Sequence, residues 1–347
     1  MKIANINIER NGKPYIIAEI SANHNGSLKN CKKLFLEAKK NGASAIKIQT
    51  YKPDTITLNS NKDDFLINEG LWKGKNLYDL YAEAHTPWEW HSELFNYASE
   101  IGIDLFSSPF DFSAIDLLEE LNAPAYKIAS FEVVDLELIR YAAETKKPLI
   151  ISTGMADIEE IHEAYDTAIK YGSGDVALLH CVSGYPAPTE EYNIATIADM
   201  LDRFKCPIGL SDHTLSNVAA VGSIFMGASI IEKHFTLNRN GGGPDDSFSM
   251  EPNDLMQLVD SCNSAWKAKG QVSYERKESE KPNLKFRRSL YFVRDLPKGT
   301  VIDDSMIKSV RPGYGMAPKM FRNLLGKKLI NDVTSATPVM KEDIEDV

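Results

Sequence analysis

The chain has 347 residues, of which 43% are hydrophobic and 25% are charged, and its formal net charge at pH 7 is -10. This composition is typical of a folded globular protein and excludes the low hydrophobicity of a disordered chain. The length predicts either a large α/β barrel with an appendix or two medium domains. The negative net charge argues against nucleic acid and anionic membranes as partners.

The amino-terminal segment gives no sign of targeting. Neither an apolar core after a basic start nor a small-residue cleavage site occurs in MKIANINIERNGKPYIIAEI. No apolar run approaches the roughly 18 residues of a membrane-spanning helix. The cysteines are far apart and form no CxxC motif; they are Cys31, Cys181, Cys206 and Cys262. We therefore expect a cytoplasmic protein with reduced thiols, without disulfides or a zinc–thiolate site.

Short β-rich runs alternate with helical patterns from the start of the chain to about residue 270. There are eight such runs: YIIAEI (15–20), SAIKIQT (44–50), GIDLFSS (102–108), AYKIAS (125–130), PLIIST (148–153), VALLHC (176–181), PIGLSDH (207–213) and SIIEKHF (229–235). Eight strand–helix units over about 250 residues are typical of a (β/α)8 TIM barrel. A doubly wound sheet is the alternative, but no GxGxxG motif follows the first strand, and eight units favour closure.

A long insertion, residues 51–88, separates the second strand from its helix. It is too long for an ordinary βα loop, and loops of this size on a barrel usually shape or cover the site. Large side chains such as Trp72 and Leu80 argue against disorder in this segment.

The carboxyl-terminal part of the chain differs in pattern from the barrel. Residues 271–287 are polar, charged and without hydrophobic period, which indicates a linker after a barrel domain at 1–270. The remaining residues, 288–347, form short strands and turns. A unit of about 60 residues is marginally stable alone, so we expect it to gain stability by docking onto something larger.

Polar residues concentrate at the carboxyl ends of the predicted strands, where the active sites of parallel barrels lie. They are Glu19, Lys47, Gln49, Ser107, Ser108, Lys127, Ser130, Ser152, Thr153, His180, Ser211, Asp212, His213, Glu232 and His234. The strand starts are mostly apolar. This asymmetry indicates a functional site at the barrel mouth.

Side-chain alternation places several of these groups together. Lys47 and Gln49 point to one side of their strand, as do Glu232 and His234. Lysine and serine side chains at neighbouring strand ends, such as Lys127 and Ser152, suit phosphate and carboxylate groups. A solvated strand end or a buried ion pair would explain a single lysine, but two neighbouring lysines need an anion or an acidic partner.

Two histidines end adjacent strands. His213 and His234 follow the seventh and eighth strands, so both imidazoles can approach one point, where they would suit Mn²⁺, Fe²⁺, Co²⁺ or Zn²⁺. The alternative is a pair of core histidines held by hydrogen bonds, because two separated histidines are a weak metal signature. The loop GGGPDDSFS (241–249) follows, and Asp245 or Asp246 could bind sugar hydroxyls there, or the loop could be flexible with solvated acids.

Nine motifs, in order over nearly the whole chain, resemble the sialic acid synthase family of phosphoenolpyruvate-dependent nonulosonic acid synthases. They are AEISANHNGSL, IKIQTY, FSSPFD, YKIASFE, ISTGM, GLSDHT, IEKHF, PDDSFSMEP and RPGYGMAPK. The resemblance implies a (β/α)8 barrel followed by an antifreeze-like (SAF) domain, and a homodimer in which each small domain caps the partner's barrel. It also implies a transferase of the EC 2.5.1 class that condenses phosphoenolpyruvate with an N-acetylated amino sugar to a nine-carbon 2-keto acid.

The resemblance assigns roles to individual residues. His213 and His234 would hold the divalent metal, Mn²⁺ by family habit with Mg²⁺ or Co²⁺ as alternatives, which polarises the sugar's aldehyde. The phosphate and carboxylate of phosphoenolpyruvate would be bound by Lys47, Lys127, Ser130, Ser152 and Ser211. Glu19 and Asp245 would bind the sugar hydroxyls, position the water or transfer protons, and the resemblance does not assign these roles between the two residues. Gln49 would orient water or a ligand, and Arg311 would reach into the partner's site and contact the acyl group.

Within the family, three segments look most like the pseudaminic acid synthase subgroup, which takes 2,4-diacetamido-2,4,6-trideoxy-β-L-altropyranose. They are SANHNGSL, the insertion from Leu58 to His91, and FSSPFD. The loop at 241–249 is intermediate, because GPD is also similar to the N-acetylneuraminate branch. Synthesis of N-acetylneuraminate or legionaminic acid, from N-acetylmannosamine or a 2,4-diacetamido-trideoxy-mannose, is therefore the alternative.

Two other function classes fit part of the pattern. A barrel aldolase that uses Lys127 or Lys47 as a Schiff base would survive EDTA and be trapped by borohydride. A non-catalytic sugar-binding barrel would show no turnover, but it leaves the acid, base and cation groups at the strand ends without explanation.

Overall fold

A computed structural model of the chain describes residues 1–346. The chain divides into two compact units, Met1–Gly270 and the residues from Gln271 onward. Within the described residues, no helix is long and apolar enough to cross a membrane. All cysteines in this part of the chain are free thiols and buried.

A closed parallel barrel forms the centre of the first unit, after an antiparallel hairpin of β1 (Lys2–Ile3) and β2 (Ile6–Asn7). Within residues 1–270, its eight strands are β3 (Tyr15–Glu19), β4 (Ala45–Thr50), β5 (Asp104–Pro109), β6 (Tyr126–Ile128), β7 (Leu149–Ser152), β8 (Val176–Cys181), β9 (Ile208–Asp212) and β10 (Ile230–His234). Each strand pairs in parallel with the next, and β10 pairs with β3 to close the barrel. The predicted (β/α)8 fold is confirmed, with strand ends within two residues of the predicted ones.

Helices alternate with the strands. They are α1 (Leu28–Lys40), α2 (Pro53–Ile56), α3 (Leu77–Ala84), α4 (His91–Ile101), α5 (Phe112–Glu120), α6 (Leu136–Glu144), α7 (Ile158–Tyr171), α8 (Thr196–Arg203), α9 (Val218–Met226) and α10 (Pro252–Lys269). The first illustrates why they form. The Ser27 side chain accepts a hydrogen bond from the Asn30 amide and caps the helix, and Cys31, Leu34 and Phe35 bury one face at helical spacing.

The barrel interior is apolar at its amino-terminal end and polar at its carboxyl-terminal end. Ile17, Ala45 and Ile230 belong to a buried cluster inside the barrel, which the hairpin residue Ile3 also joins. Because side chains alternate along a strand, the residues two positions further on point into the same interior. These are Glu19, Lys47 and Glu232, and they are followed by Gln49 and His234. Along each of these strands, the inward-facing residues are therefore apolar at the amino-terminal end of the barrel and polar at the carboxyl-terminal end.

The insertion at 51–88 is ordered, as its large side chains predict. It contains α2, α3 and a short 3-10 helix at Asp63–Phe65. Asn76 caps α3 by accepting a hydrogen bond from the Tyr78 amide, at 2.8 Å.

The second unit is small and has its own core. It contains β11 (Ser289–Phe292), β12 (Ile307–Val310) and α11 (Phe321–Leu324), and the two strands pair antiparallel. Leu290, Ile307 and Val339 belong to its buried cluster. Part of the segment expected to be a linker, Glu278–Phe286, forms a mostly exposed 3-10 helix.

A buried histidine makes the stability of the barrel pH-dependent. His91 at the start of α4 accepts a hydrogen bond from the Thr50 hydroxyl at 2.8 Å, because its other ring nitrogen donates to the Pro87 carbonyl at 3.2 Å. Burial lowers the pKa of His91 to about 4, and burial lowers that of His24 to about 4 as well. Between pH 4 and 6.5 the unfolded chain therefore binds more protons than the folded chain, so the free energy of unfolding falls as the pH decreases.

We expect His91 alone to account for about 2–3 kcal/mol of the loss in unfolding free energy between pH 7 and pH 4.5. Urea unfolding followed by tryptophan fluorescence at both pH values measures it. His91→Gln, which cannot titrate, should lose less stability on acidification than the wild type, whereas His162→Gln on the exposed face of α7 should behave like the wild type. Equal losses for His91→Gln and the wild type would contradict the assignment.

Candidate active site

A cavity of about 550 Å³ opens at the carboxyl ends of the barrel strands. It is lined by most of the residues predicted for the site: Lys47, Gln49, Lys127, Ser130, Ser152, Ser211, His213, His234 and Asp245. Glu19 lies buried beneath the cavity against Lys47. Arg311 lies in the second unit and is exposed. The nine lining residues and Glu19, ten of the residues predicted for the site, therefore lie together at the carboxyl end of the barrel.

Buried charges of opposite sign alternate across the cavity floor. The Lys47 Nζ lies 3.0 Å from Glu19 Oε2 and 2.9 Å from Glu232 Oε1. The Lys127 Nζ lies 3.9 Å from the same Glu232 oxygen and donates to Ser152 Oγ at 2.6 Å. All four charged residues are buried. The glutamates compensate the two lysines in the absence of an anion, which explains how like charges can be buried side by side.

The two glutamates have different protonation preferences. Burial raises the pKa of Glu19, and so does the negative charge of Glu232, while Lys47 and more weakly Lys127 oppose this only in part. Burial acts in the same direction on Glu232, but Lys127 and Lys47 together outweigh it and hold its pKa below the usual value. Glu232 therefore stays ionised, whereas Glu19 can exchange a proton near neutral pH. A carboxyl group of that kind suits general acid–base chemistry.

Lys127 is poised to gain from an anion. Burial lowers the pKa of Lys127 to about 8, against the attraction of Glu232. An anion bound beside it would favour the charged form and bring that pKa back up. Its location next to the Ser152 hydroxyl suits the binding of an anion.

His213 and His234 lie close together with unused ring nitrogens. Their ring centroids are 5.4 Å apart. The His213 Nδ1 donates to the Val182 carbonyl at 2.9 Å. Burial acts to lower the pKa of His213, but the contacts with Cys181 and Val182 outweigh it and raise that pKa, so a metal bound at Nε2 would have to displace a proton. Among residues 1–346, the buried Nδ1 atom of His234 has no hydrogen-bond partner.

These histidines fit a divalent metal with open coordination positions. Burial, and then His213, keep the pKa of His234 well below the usual value, so its imidazole is neutral, as a metal ligand must be. Within the described residues, no group of three or more His, Cys, Asp or Glu side chains could hold a metal by itself. Two imidazoles are fewer than the three protein ligands usual at a catalytic zinc site, so water or substrate would have to supply the remaining positions of a bound ion.

In the loop after β10, Asp245 and Asp246 have different surroundings, which distinguishes the two candidates for binding sugar hydroxyls. Asp246 accepts from the Gly243 amide at 2.8 Å and from the Asn25 side chain at 3.0 Å, and it serves to hold the loop. Asp245 lines the cavity and accepts a hydrogen bond from the Ser21 hydroxyl. Gln49 donates to that hydroxyl at 3.1 Å, so Gln49, Ser21 and Asp245 form one chain.

Lys233, which lies between Glu232 and His234 on β10, faces away from the cavity. Lys233 Nζ contacts Asp212 Oδ2 at 2.9 Å and donates to the Ser216 carbonyl at 3.2 Å and to the Thr214 carbonyl. It thereby fixes the turn after β9 that carries His213. Other polar strand ends also face outward: His180 bonds to the Tyr192 carbonyl at 2.6 Å, and Ser107 to the Ile48 carbonyl at 3.0 Å. These polar residues at the strand ends therefore do not line the cavity.

Three cavity residues were not singled out from the sequence as site residues. Side-chain alternation places Glu232 on the same face of its strand as His234, but the sequence does not predict its contacts with both lysines. Glu132 has a buried Oε2 without a partner among the described residues, and burial raises its pKa to about 7. Glu132 follows β6 by a few residues. A search for polar residues in the loops just after the strands, and not only at the strand ends, identifies it. The ring of Tyr185, 4.3 Å from that of His213, comes from a loop without any such signal.

Comparison with known proteins supplies the family. The NeuB family model matches residues 34–274, and the SAF domain model matches residues 287–345. The chain is 42% identical over 334 residues to the pseudaminic acid synthase of Helicobacter pylori, which covers 96% of this chain and 98% of that protein. It is 35% identical over 336 residues to the N,N'-diacetyllegionaminic acid synthase of Legionella pneumophila, covering 95% and 94%.

A solved structure shows the same architecture. It is the N-acetylneuraminic acid synthetase of Leptospira borgpetersenii in complex with citrate, which has a TM-score of 0.74 and 30% identity and covers 83% of this chain and 95% of that chain.

Proposed function

Because the chain belongs to the NeuB family and carries a SAF domain, we propose that it condenses phosphoenolpyruvate with 2,4-diacetamido-2,4,6-trideoxy-β-L-altropyranose and water. The products are pseudaminic acid and phosphate, in a transferase reaction of the EC 2.5.1 class. The observation that carries the choice of sugar is identity over nearly the full chain: 42% to a pseudaminic acid synthase against 35% to a legionaminic acid synthase.

Binding of phosphoenolpyruvate is the first role of the cavity floor. Its phosphate and carboxylate groups would bind beside Lys47 and Lys127, with hydroxyl donors from Ser130, Ser152 and Ser211. Ser130 is held in place by the Gly154 amide, which donates to its hydroxyl at 3.2 Å. A Cβ on Gly154 would come within 2.8 Å of that hydroxyl, so glycine allows the backbone to approach it. These donors are fixed before the ligand arrives, as charge stabilisation requires.

Carbon–carbon bond formation joins carbon 3 of phosphoenolpyruvate to the aldehyde carbon of the open-chain sugar. His213 and His234 would hold a divalent cation, Mn²⁺ by expectation, which supplies Lewis-acid polarisation of the aldehyde oxygen. As the bond forms, that oxygen takes up a proton, and Glu19 can carry one near neutral pH because burial raises its pKa.

Addition of water at carbon 2 completes the reaction. The resulting tetrahedral carbon expels phosphate by breaking its bond to the bridging oxygen, and the ketone of the product remains. Gln49 links Glu19 to Ser21 and Asp245, with its Nε2 3.3 Å from Glu19 Oε1, so it can orient the attacking water beside a carboxyl group that exchanges protons. Lys127 and the hydroxyl groups of Ser130, Ser152 and Ser211 stabilise the negative charge of the leaving phosphate.

The active unit is proposed to be a homodimer in which the SAF domain of one chain caps the barrel of the other. Arg311, which is exposed on its own unit, would then contact the acyl group of the sugar in the partner's site. A cap of this kind would keep bulk water away from the reacting carbons.

The experiment that tests the function is phosphate release from phosphoenolpyruvate with Mn²⁺ and each candidate sugar. We expect the highest kcat/KM with the trideoxy-altrose sugar, and lower values with 2,4-diacetamido-trideoxy-mannose and N-acetylmannosamine. A higher value with either of those would reassign the sugar. Absence of release with all of them would overturn the synthase assignment, and borohydride trapping of a protein–substrate adduct would favour a Schiff-base aldolase instead.

A further inference from the structure

The upper part of the cavity is apolar on one side. Six residues of the insertion line it there, and we refer to them as the apolar wall: Ile56, Ile67, Trp72, Leu77, Leu80 and Tyr81. The charged floor lies below, at the strand ends. The wall is therefore the part of the cavity left for the portion of a substrate that is not phosphoenolpyruvate.

The apolar wall is built into the structure. Trp72 Nε1 donates to the Pro244 carbonyl at 3.1 Å, which ties the insertion to the loop that carries Asp245. Ile67 is held in a short hairpin, since its amide donates to the Lys75 carbonyl at 2.9 Å. Leu80 is buried in α3. The wall therefore faces the cavity before any ligand binds.

The chemistry of the apolar wall favours methyl groups over hydroxyls. The indole N–H of Trp72 already has its acceptor, and the side chains of Ile56, Ile67, Leu77 and Leu80 can offer no hydrogen bond, which leaves the Tyr81 hydroxyl as the polar group of the wall. A sugar hydroxyl turned toward these aliphatic side chains would lose its water without gaining a new partner. A methyl group there is instead stabilised by burial.

We propose that the apolar wall binds the methyl end of the amino sugar, namely its carbon-6 methyl and an acetamido methyl, and thereby selects 6-deoxy, diacetamido sugars over hydroxylated ones. This inference rests on the proposed function. An apolar pocket rejects a substrate with one added hydroxyl by up to about 100-fold. We therefore expect a preference of about 10- to 100-fold, expressed in kcat/KM, for the 6-deoxy sugar over its 6-hydroxy counterpart.

The test compares these two sugars, which differ by one hydroxyl, by phosphate release at saturating phosphoenolpyruvate. Leu77→Gln puts a hydrogen-bonding group into the wall at a half-buried position, so folding should be retained. It should reduce the preference at least 5-fold, mainly by raising kcat/KM for the 6-hydroxy sugar. Leu71→Gln is the matched control, because Leu71 lies in the same insertion but is exposed and does not line the cavity. It should keep the wild-type preference.

Ile67→Gln is the second variant and should act like Leu77→Gln. A wild-type ratio near one overturns the inference and leaves the proposed function intact, whatever the variants do. An unchanged ratio in a folded wall variant overturns it as well. Absence of phosphate release by the wild type with every amino sugar is a different outcome, because it overturns the proposed function itself.

Discussion

Lys47→Met is expected to destabilise the barrel by about 3 kcal/mol and to reduce kcat/KM for phosphoenolpyruvate about 1,000-fold. Removing one partner of a buried ion pair typically costs about 3–5 kcal/mol, because it leaves an unpaired buried charge. The lower figure applies here because Glu19 has a raised pKa and can take up a proton instead. The loss of activity follows from removing a fixed cation from the phosphate and carboxylate site. Urea unfolding and steady-state kinetics measure the two effects.

The double variant Lys47→Met/Glu232→Gln separates stability from binding. It removes the uncompensated carboxylate together with the cation, so we expect it to recover at least about 1 kcal/mol of the lost stability. It should recover none of the activity. Lys62→Met, an exposed lysine of the insertion, is the control for the change in net charge and should resemble the wild type in both measurements. A Lys47→Met protein with wild-type kcat/KM for phosphoenolpyruvate would show that the cation serves only the fold.

His234→Ala is expected to abolish turnover and Mn²⁺ binding while the fold is retained. The buried Nδ1 of His234 has no partner in the described part of the chain, so the structure loses no hydrogen bond there. The barrel should keep its circular dichroism spectrum. Wild-type protein should bind about one Mn²⁺ per chain, seen as loss of the free-ion signal in electron paramagnetic resonance, and EDTA should stop its turnover.

His162→Ala is the matched control for His234→Ala, because its imidazole is exposed on α7. It should bind Mn²⁺ and turn over like the wild type. Mixing His234→Ala with Arg311→Ala tests the proposed dimer, since a mixed dimer contains one barrel with both wild-type residues and should restore up to about a quarter of the activity. A His234→Ala protein that binds Mn²⁺ normally, or that unfolds, would favour a structural histidine.

The fold could be predicted because each barrel strand corresponds to a short apolar run in the sequence that ends in polar residues. The run IIEKHFT illustrates both the strength and the limit of that pattern. It predicts correctly that Glu232 and His234 share a face. It cannot tell that Lys233, on the opposite face, pairs with Asp212 of the neighbouring strand, because both sides of a barrel strand are buried and a contact between strands leaves no local pattern.

The length of the insertion predicts that it shapes the site, but the residues of the insertion that line the cavity could not be predicted, because they depend on tertiary contacts of the loop. Trp72 reaches the Pro244 carbonyl across 172 positions of sequence, and nothing in the local pattern of either segment specifies that contact. Tyr185 lies over His213 for the same reason. Local periodicity predicts elements, whereas tertiary contacts between loops decide which side chains face a shared space.

The most direct test of the central claim is the fate of the bridging oxygen of phosphoenolpyruvate. Purified protein, Mn²⁺ and the trideoxy-altrose sugar are incubated with phosphoenolpyruvate that carries ¹⁸O between carbon 2 and phosphorus, and the released phosphate is analysed by mass spectrometry. We predict one phosphate per sugar consumed, with the ¹⁸O retained in the phosphate, because water adds at carbon 2 and the carbon–oxygen bond breaks. Phosphate without the label, or sugar consumption without phosphate, would contradict the proposed reaction.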